Sequence, residues 1–318
     1  MINYLSFVSV IIPCRNEEKY IEKCLGSILN QDYPKDRIEI LVVDGMSEDR
    51  TREIINKFKI KNSRFKIKIL DNFQRFTPIG LNIGIKEAEG DIIMRMDAHA
   101  GYENNYISKC VKYLKKYNAD NVGGVTITLP RENTLVAKAI TLALSHPFGV
   151  GGSVFRKGSK EIKWVDTVFG GCYKKEVFEK IGLFNEKLIR SQDMEFNLRL
   201  KKSGGKILLV PEIISYYYPK SNLRDFFIHN IEDGIWAILP LKFVKTPFKI
   251  RHYLPLFFIL TLPLNIWLYV PVSLYFSAKI AIREKNPELF FLMPFVFIAR
   301  HFGYGFGSVL GVFKLPFV

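Results

Sequence analysis

Four short, β-branched runs, each followed at once by an amphipathic stretch, constrain this chain more than any other feature. They are "FVSVIIP", "IEILVVDG", "FKIKILDN" and "DIIMRMD". Strands that alternate with helices form a sheet of parallel strands, because the intervening helix carries the chain back to begin the next strand in the same direction. The first run leads into a helix expected to end near residue 30. Ser47 is expected to cap "EDRTREIINKF", and Thr77 to cap "PIGLNIGIKEAEG" with Pro78 in its first turn. Further along come "NVGGVTITLP", a helix near 131–144, and the glycine-rich "GVGGSVFRKGS". A strand feeding a short helix is expected in "VDTVFGGCYKKEVFEKIG". A helix closed by Gly204-Gly205 is expected in "RSQDMEFNLRLKKSGG", and a last strand in "KILLVPEIISYYYP".

The ends of the first four strands carry Pro13-Cys14-Arg15-Asn16-Glu17, Asp44, Asp71-Asn72, and Asp97 with His99. Ligands of open α/β sheets bind just beyond the carboxyl ends of the strands. Each acid taken singly reads equally well as a turn or cap residue. Four consecutive strands delivering polar groups to one edge describe a shared cleft. The formal net charge of +15 asks for an anionic partner: nucleic acid, a membrane surface or a phosphorylated small molecule. The basic residues are scattered through helices and gather beside an apolar tail, with no nucleic-acid-binding module, so nucleic acid is not the expected partner.

Asp97 and His99 offer an oxygen and a nitrogen two positions apart, a mixture that suits Mn²⁺ at least as well as Mg²⁺. A divalent ion held there neutralises charge on a departing diphosphate. The alternative is a strand-ending aspartate and a helix-capping histidine. Asp193 lies in the first turn of its expected helix, where a carboxylate facing the cleft can take a proton from an attacking hydroxyl. Glu195 either orients Asp193 or pairs with Arg199 one turn later; alternatively both acids merely complement the helix dipole. Asp44 accepts a hydrogen bond from a nucleobase imide, or is a turn residue. Arg75 meets a diphosphate, or is solvated. Arg156 and Lys157 stand in a glycine-rich loop that lacks the strand-then-helix setting of a phosphate-binding loop. His146, His229 and His252 are expected to be structural, and the aromatic run 216–218 to pack. Cys14, Cys24, Cys110 and Cys172 have no metal-type spacing and are expected as reduced thiols.

Composition changes after residue 220. Residues 223–253 mix bulky apolar side chains with Lys and Arg, as an interfacial amphipathic segment does. Residues 254–276 carry no charge and are long enough to span a bilayer, although three prolines interrupt them. A second apolar stretch, 289–313, contains Arg300 and His301, so a re-entrant or interfacial course is expected there rather than a crossing. Lys242, Lys245, Lys249 and Arg251 favour a cytoplasmic N-terminal side, against Lys279, Arg283 and Lys285 just beyond the run. The N-terminus shows no signal-type leader. The expected organisation is thus 1–220, 221–253 as amphipathic interfacial helices, and 254–318 as a hydrophobic membrane-associated segment, with the catalytic part in the cytoplasm.

In this order, "VSVIIPCRNEEKYIEKCLGSI", "ILVVDGMSEDRT", "TPIGLNIGIKEAEGD", "MRMDAHA", "VFGGCYKKEVFEKIGLFNE" and "SQDMEFNLRLKKSGG" make the segment from about 7 to 220 resemble the family 2 glycosyltransferases of GT-A fold. "DAHA", "HPFGVGGSVFR" and "YYYPKSNLRDF" are especially similar to succinoglycan-type, membrane-associated glucosyltransferases. The resemblance implies an α/β, Rossmann-like nucleotide-sugar-binding domain with a mostly parallel, mixed sheet and a C-terminal helical membrane region. It implies that Pro13, Asn16, Glu17 and Asp44 surround a nucleoside, usually uridine; Arg15, Asp71, Arg75 and Asp97 are the further donor contacts expected at the same edge. It implies Asp97 and His99 at a divalent metal and the diphosphate, and Asp193 as base of an inverting transfer. Gln192, Glu195, Gly170, Gly171 and Arg156 fall on the expected acceptor side. The commoner metal motif has a second aspartate where His99 stands. The "QxxRW" pattern of processive synthases is absent, which favours addition of a single sugar to a lipid-linked saccharide. A sugar nucleotidyltransferase would carry a glycine-rich basic loop where "PCRNEE" stands. A membrane-bound sugar-nucleotide sensor would need no base.

Overall fold

The computed structural model of the protein describes residues 6–244 and 249–317; Lys245 and Val318 lie outside the described residues. The chain begins β1 (Val8–Cys14), α1 (Ile21–Leu29), β2 (Ile38–Asp44), α2 (Thr51–Lys61), β3 (Lys66–Asp71), α3 (Thr77–Glu87), β4 (Ile92–Arg95), β5 (Ala100–Tyr102), α4 (Tyr106–Lys116) and β6 (Asn121–Thr128). It continues with α5 (Leu135–Ser145), the single turns α6 (Pro147–Val150) and α7 (Val154–Lys157), β7 (Lys163–Trp164), β8 (Cys172–Lys174), α8 (Lys175–Ile181), α9 (Gln192–Lys202) and β9 (Ile207–Tyr217). Five helices follow: α10 (Leu223–Ile238), α11 (Pro240–Phe243), α12 (Leu254–Leu260), α13 (Leu262–Arg283) and α14 (Glu288–Lys314).

These elements form two compact units. The first runs up to Thr126 and resumes with Gly158–Tyr217; the second joins Ile127–Lys157 to the chain from Tyr218 onward. Segment 127–157, expected within the first domain, therefore clusters with the C-terminal helices.

The first unit is built on one mixed sheet with strand order β3-β2-β1-β4-β8-β6-β9-β5, and β7 pairs with β9. β3, β2, β1 and β4 are parallel, as the strand–helix alternation requires, and they deliver their carboxyl ends to one edge. β8 enters antiparallel between β4 and β6. β1 and β2 are covered on both faces: Val10 and Ile40 on one face and Ile11 and Leu41 on the other are all fully buried, the pattern of a central parallel strand. Two expected caps are not formed. Helix α2 starts only at Thr51 with Arg50 at its cap position, because Ser47 turns back to Asp44. Thr77 is already inside α3, preceded by Phe76 at the cap position, and Pro78 lies in the first turn. All four cysteines are free and buried, and burial pushes the thiols of Cys14, Cys24 and Cys110 up, which keeps them unreactive.

In the second unit α10 lies along α14 on a stripe of glycines. A Cβ at Gly307 would stand 2.0 Å from the Ile231 carbonyl oxygen; one at Gly303 would stand 3.0 Å from the Phe227 carbonyl, and one at Gly234 2.0 Å from the Tyr304 carbonyl. Only residues without side chains allow two helix backbones so close. Residues expected to lie as interfacial helices are, in α10, packed on this stripe. The charge-free run is divided at Thr261 into α12 and α13, with Pro255 and Pro263 in first turns and Pro271 inside α13. Segments Leu262–Arg283 and Glu288–Phe317 are both long and apolar enough to cross a membrane. Leu264, Trp267, Leu268, Phe291 and Phe313 are exposed.

Helix α14 passes Arg300 and His301 without a break. Arg300 donates to the Gly149 carbonyl at 3.2 Å and to Asn230 Oδ1, and pairs with Asp233 at 3.5 Å. His301 Nε2 donates to the Phe148 carbonyl at 2.8 Å, and its Nδ1 meets the Tyr269 hydroxyl at 3.0 Å. Both polar side chains bond to protein groups, which is how ionisable groups persist among apolar helices.

Candidate active site

The loops that follow β1 and β2 are fastened to each other by reciprocal bonds. Asn16 adopts a left-handed backbone (φ 55°), accessible to Asn at modest cost. Its N–H donates to Ser47 Oγ at 2.9 Å, while its Oδ1 accepts from the Glu48 N–H at 2.9 Å. The Glu17 N–H donates to Thr51 Oγ1 at 2.7 Å, and the Glu18 N–H to Asp49 at 3.1 Å. Pro13 sits in β1 opposite Val43, just below this junction.

Asp44 is completely buried. Its Oδ1 accepts from the Ser47 N–H at 3.1 Å and hydroxyl at 2.6 Å, and its Oδ2 from Arg52 Nη1 at 3.3 Å. The same Arg52 nitrogen reaches Asp71 Oδ1 at 2.5 Å. Arg52 thus ties the ends of β2 and β3 together, a role that sequence reading missed. Arg15 and Arg75 both approach Glu48, at 3.5 and 3.4 Å. These pairs are solvent-exposed and hold little energy, so both guanidinium groups remain available to an anion.

The end of β4 is organised by Arg95, also missed. Its Nε and Nη2 fork onto Asp97 Oδ1 at 3.1 and 3.0 Å, while Nη1 is buried without a hydrogen-bond partner. Burial works against its charge, but the Asp97 and Asp193 carboxylates more than offset this and hold the guanidinium above its ordinary value. An arginine inside the apolar run "DIIMRMD" was the available signal. The Asp97 N–H donates to the Tyr102 hydroxyl at 2.7 Å, and Cys24 Sγ donates to its carbonyl at 3.5 Å. His99 Nδ1 lies 3.0 Å from Glu17 Oε1, so Glu17 is drawn toward the imidazole.

Gly170 and Gly171 make the turn into β8 with φ of +66° and +112°, which L side chains rarely adopt. The Gly171 carbonyl accepts from the Arg95 N–H at 3.0 Å, and a Cβ at Gly170 would stand 2.9 Å from the Arg95 carbonyl. This turn therefore closes directly on the strand that carries Asp97. Helix α9 is anchored by Phe196, whose ring packs on Tyr173, Phe178 and Phe184. Asn197 adds bonds to Asn121, Tyr173 and Thr167. Gln192 and Glu195 are buried at its start. Glu195 takes the Arg199 option: Arg199 Nε and Nη2 occupy its two oxygens at 2.9 and 3.0 Å. Asp193 is half-buried and makes no hydrogen bond or ion pair among the described residues. Its charge acts on Arg95 and on Tyr173, whose hydroxyl burial and Asp193 together push up.

The first unit thus brings together the predicted residues of the strand-end edge, the Gly170-Gly171 turn and α9. Arg156 belongs to the second unit, in α7, beside the Phe155 ring. A divalent cation fits the donor set of Asp97 and His99. Both Arg95 bonds fall on Asp97 Oδ1, which leaves Oδ2 for a cation, and the His99 side chain is 37% exposed. No cluster of three acidic, histidine or cysteine ligands assembles among the described residues, so phosphate oxygens and water would complete the shell.

The family model described as glycosyl transferase family 2 matches residues 9–182. A dolichyl N-acetyl-α-D-glucosaminyl phosphate 3-β-D-2,3-diacetamido-2,3-dideoxy-β-D-glucuronosyltransferase of Methanococcus voltae is 33% identical over 322 residues, covering 98% of each chain. The succinoglycan biosynthesis protein ExoA of Rhizobium meliloti is 25% identical over 87% of each. The solved structure of the mannosyltransferase PcManGT from Pyrobaculum calidifontis, in complex with GDP-Man and Mn²⁺, matches with a TM-score of 0.67 at 20% identity, over 98% of this chain and 88% of that one. That likeness shows a GT-A-like fold. With a family match over more than half of its residues and a relative similar along nearly its whole length, this chain belongs to the family 2 glycosyltransferases.

Proposed function

We propose that the protein is an inverting, metal-dependent glycosyltransferase that moves one sugar from a uridine-diphosphate donor to a hydroxyl of a lipid-linked saccharide. The observation that carries this reading is the contrast within the first turn of α9. Glu195 has both oxygens taken by Arg199, whereas Asp193 is unengaged and within electrostatic reach of the residue that holds Asp97. A general base must have its carboxylate free, and a carboxylate committed to a bidentate fork is not.

In this reading Asp193 takes the proton of the acceptor hydroxyl as that oxygen attacks the anomeric carbon from the side opposite the nucleotide. Arg15 and Arg75 meet the phosphates. Asp44 and the Arg52 it holds take the uracil side of the donor. Asp97 and His99 would hold Mn²⁺ or Mg²⁺, which supplies electrophilic stabilisation of the departing diphosphate. The lipid-linked acceptor is supported by the Methanococcus relative, whose name gives a dolichyl phosphate-linked sugar as its acceptor. Membrane attachment through α13 and α14 is supported by their length and exposed apolar side chains. Lys242 and Lys249 before them favour a catalytic unit on the cytoplasmic side.

The test is a panel of nucleotide sugars offered to the full chain in lipid nanodiscs, with and without divalent metal and a lipid extract. Turnover that requires a uridine donor, metal and lipid together is expected. Turnover by Asp193→Asn at the wild-type rate, or none from wild type with any donor, would overturn the reading.

A further inference from the structure

We propose that Glu17 is a positioning residue for His99: its carboxylate holds the imidazole through Nδ1–H, so that the lone pair offered to the divalent cation resides on Nε2. This rests on the metal reading given above. It removes Glu17 from the nucleoside contacts implied by resemblance.

The geometry begins with how firmly Glu17 is held. Its N–H is fixed by Thr51, and its carbonyl accepts from the Tyr20 and Ile21 N–H groups at 2.9 Å each, at the start of α1. Only the side chain is left to choose a partner, and it reaches His99, 82 residues away, at 3.0 Å. His99 stands in the short link between β4 and β5, tightened by the Ala100 N–H donating to the Asp97 carbonyl at 3.1 Å. An imidazole has two nitrogens of similar basicity, and which one carries the proton is set by what the other bonds. A carboxylate on Nδ1 selects one tautomer, fixes the ring plane and makes the far nitrogen a better donor to a cation.

An aspartate at position 99 would need no such help, since its oxygens are equivalent acceptors. Glu17 beside it would then be a second anion with nothing to hold. The Glu17 requirement is therefore tied to histidine at 99, and this separates positioning from a general structural or nucleotide-binding role.

The experiment uses the full chain in nanodiscs with UDP present and titrates Mn²⁺ by the electron paramagnetic resonance signal of the free ion. Glu17→Ala should weaken Mn²⁺ binding by roughly 10- to 100-fold, with Glu17→Gln, which keeps an acceptor but not the charge, in between. UDP affinity without metal should be unchanged. In a His99→Asp background, Glu17→Ala should cost nothing or improve binding. Pulsed measurements should show a nitrogen coupling to Mn²⁺ in wild type that is lost in His99→Asp. Equal losses from Glu17→Ala in both backgrounds, or loss of metal-free UDP affinity, overturn the proposal while leaving the metal reading intact. Wild type that binds no Mn²⁺ with UDP overturns both. Glu17→Gln keeps the test decisive where the alanine variant folds poorly.

Discussion

Arg95 and Arg300, one in each unit, are treated differently. Arg300, in the helical unit, bonds through Nε to Gly149 and through Nη1 to Asn230 and Asp233. Arg95, in the sheet unit, forks onto one oxygen of Asp97, keeps a buried nitrogen without a partner, and feels the charge of Asp193. A charge bonded to a carbonyl, an amide and a carboxylate of its own unit holds structure together. A charge left with an open donor beside two carboxylates is what the proposed function asks of a group that meets a ligand.

The severest challenge to this contrast is Asp193→Asn, expected to lower turnover by about 10²- to 10⁴-fold with UDP affinity unchanged by calorimetry. A mild loss would mean that the unengaged carboxylate is not the base. Next comes the pair of arginines. Arg95→Met should lower turnover by on the order of 100-fold in protein that is still folded. Arg300→Met should lower stability by roughly 1.5–3 kcal/mol in chemical denaturation while the folded fraction turns over normally. Equal kinetic defects in the two variants would erase the distinction.

Smaller effects sharpen each side. Gly307→Leu pushes a side chain into the Ile231 carbonyl and should destabilise the helical unit by about 1–3 kcal/mol, read as a lower melting temperature. Arg52→Ala removes the tie between Asp44 and Asp71 and should weaken UDP binding by on the order of tenfold, measured by calorimetry.

The parallel half of the sheet and its polar edge were legible in sequence because local patterns encode them: strand runs, helix runs and the acids between. What escaped depends on partners distant in the chain. Arg52 reads as one more helix cation until β3 places Asp71 beside it. Arg300 and His301 read as interruptions, since the groups that satisfy them come from positions 70 to 153 residues earlier for Asn230, Gly149 and Phe148. The expected caps at Ser47 and Thr77 failed for a related reason. Ser47 found stronger partners in Asp44 and Asn16 than in its own helix.

The late arrival of β8 bears on how the chain matures. β3, β2, β1 and β4 can align once residue 95 has been synthesised, but the neighbour on the open side of β4 comes from residues 172–174, and α9 later still. Emerging from the ribosome, the parallel half of the sheet can consolidate first, while the edge of β4 waits unpaired for a partner made nearly 80 residues later. Slow translation between those points would prolong exposure of that edge, so the pairing of β4 with β8 is the step most open to misfolding.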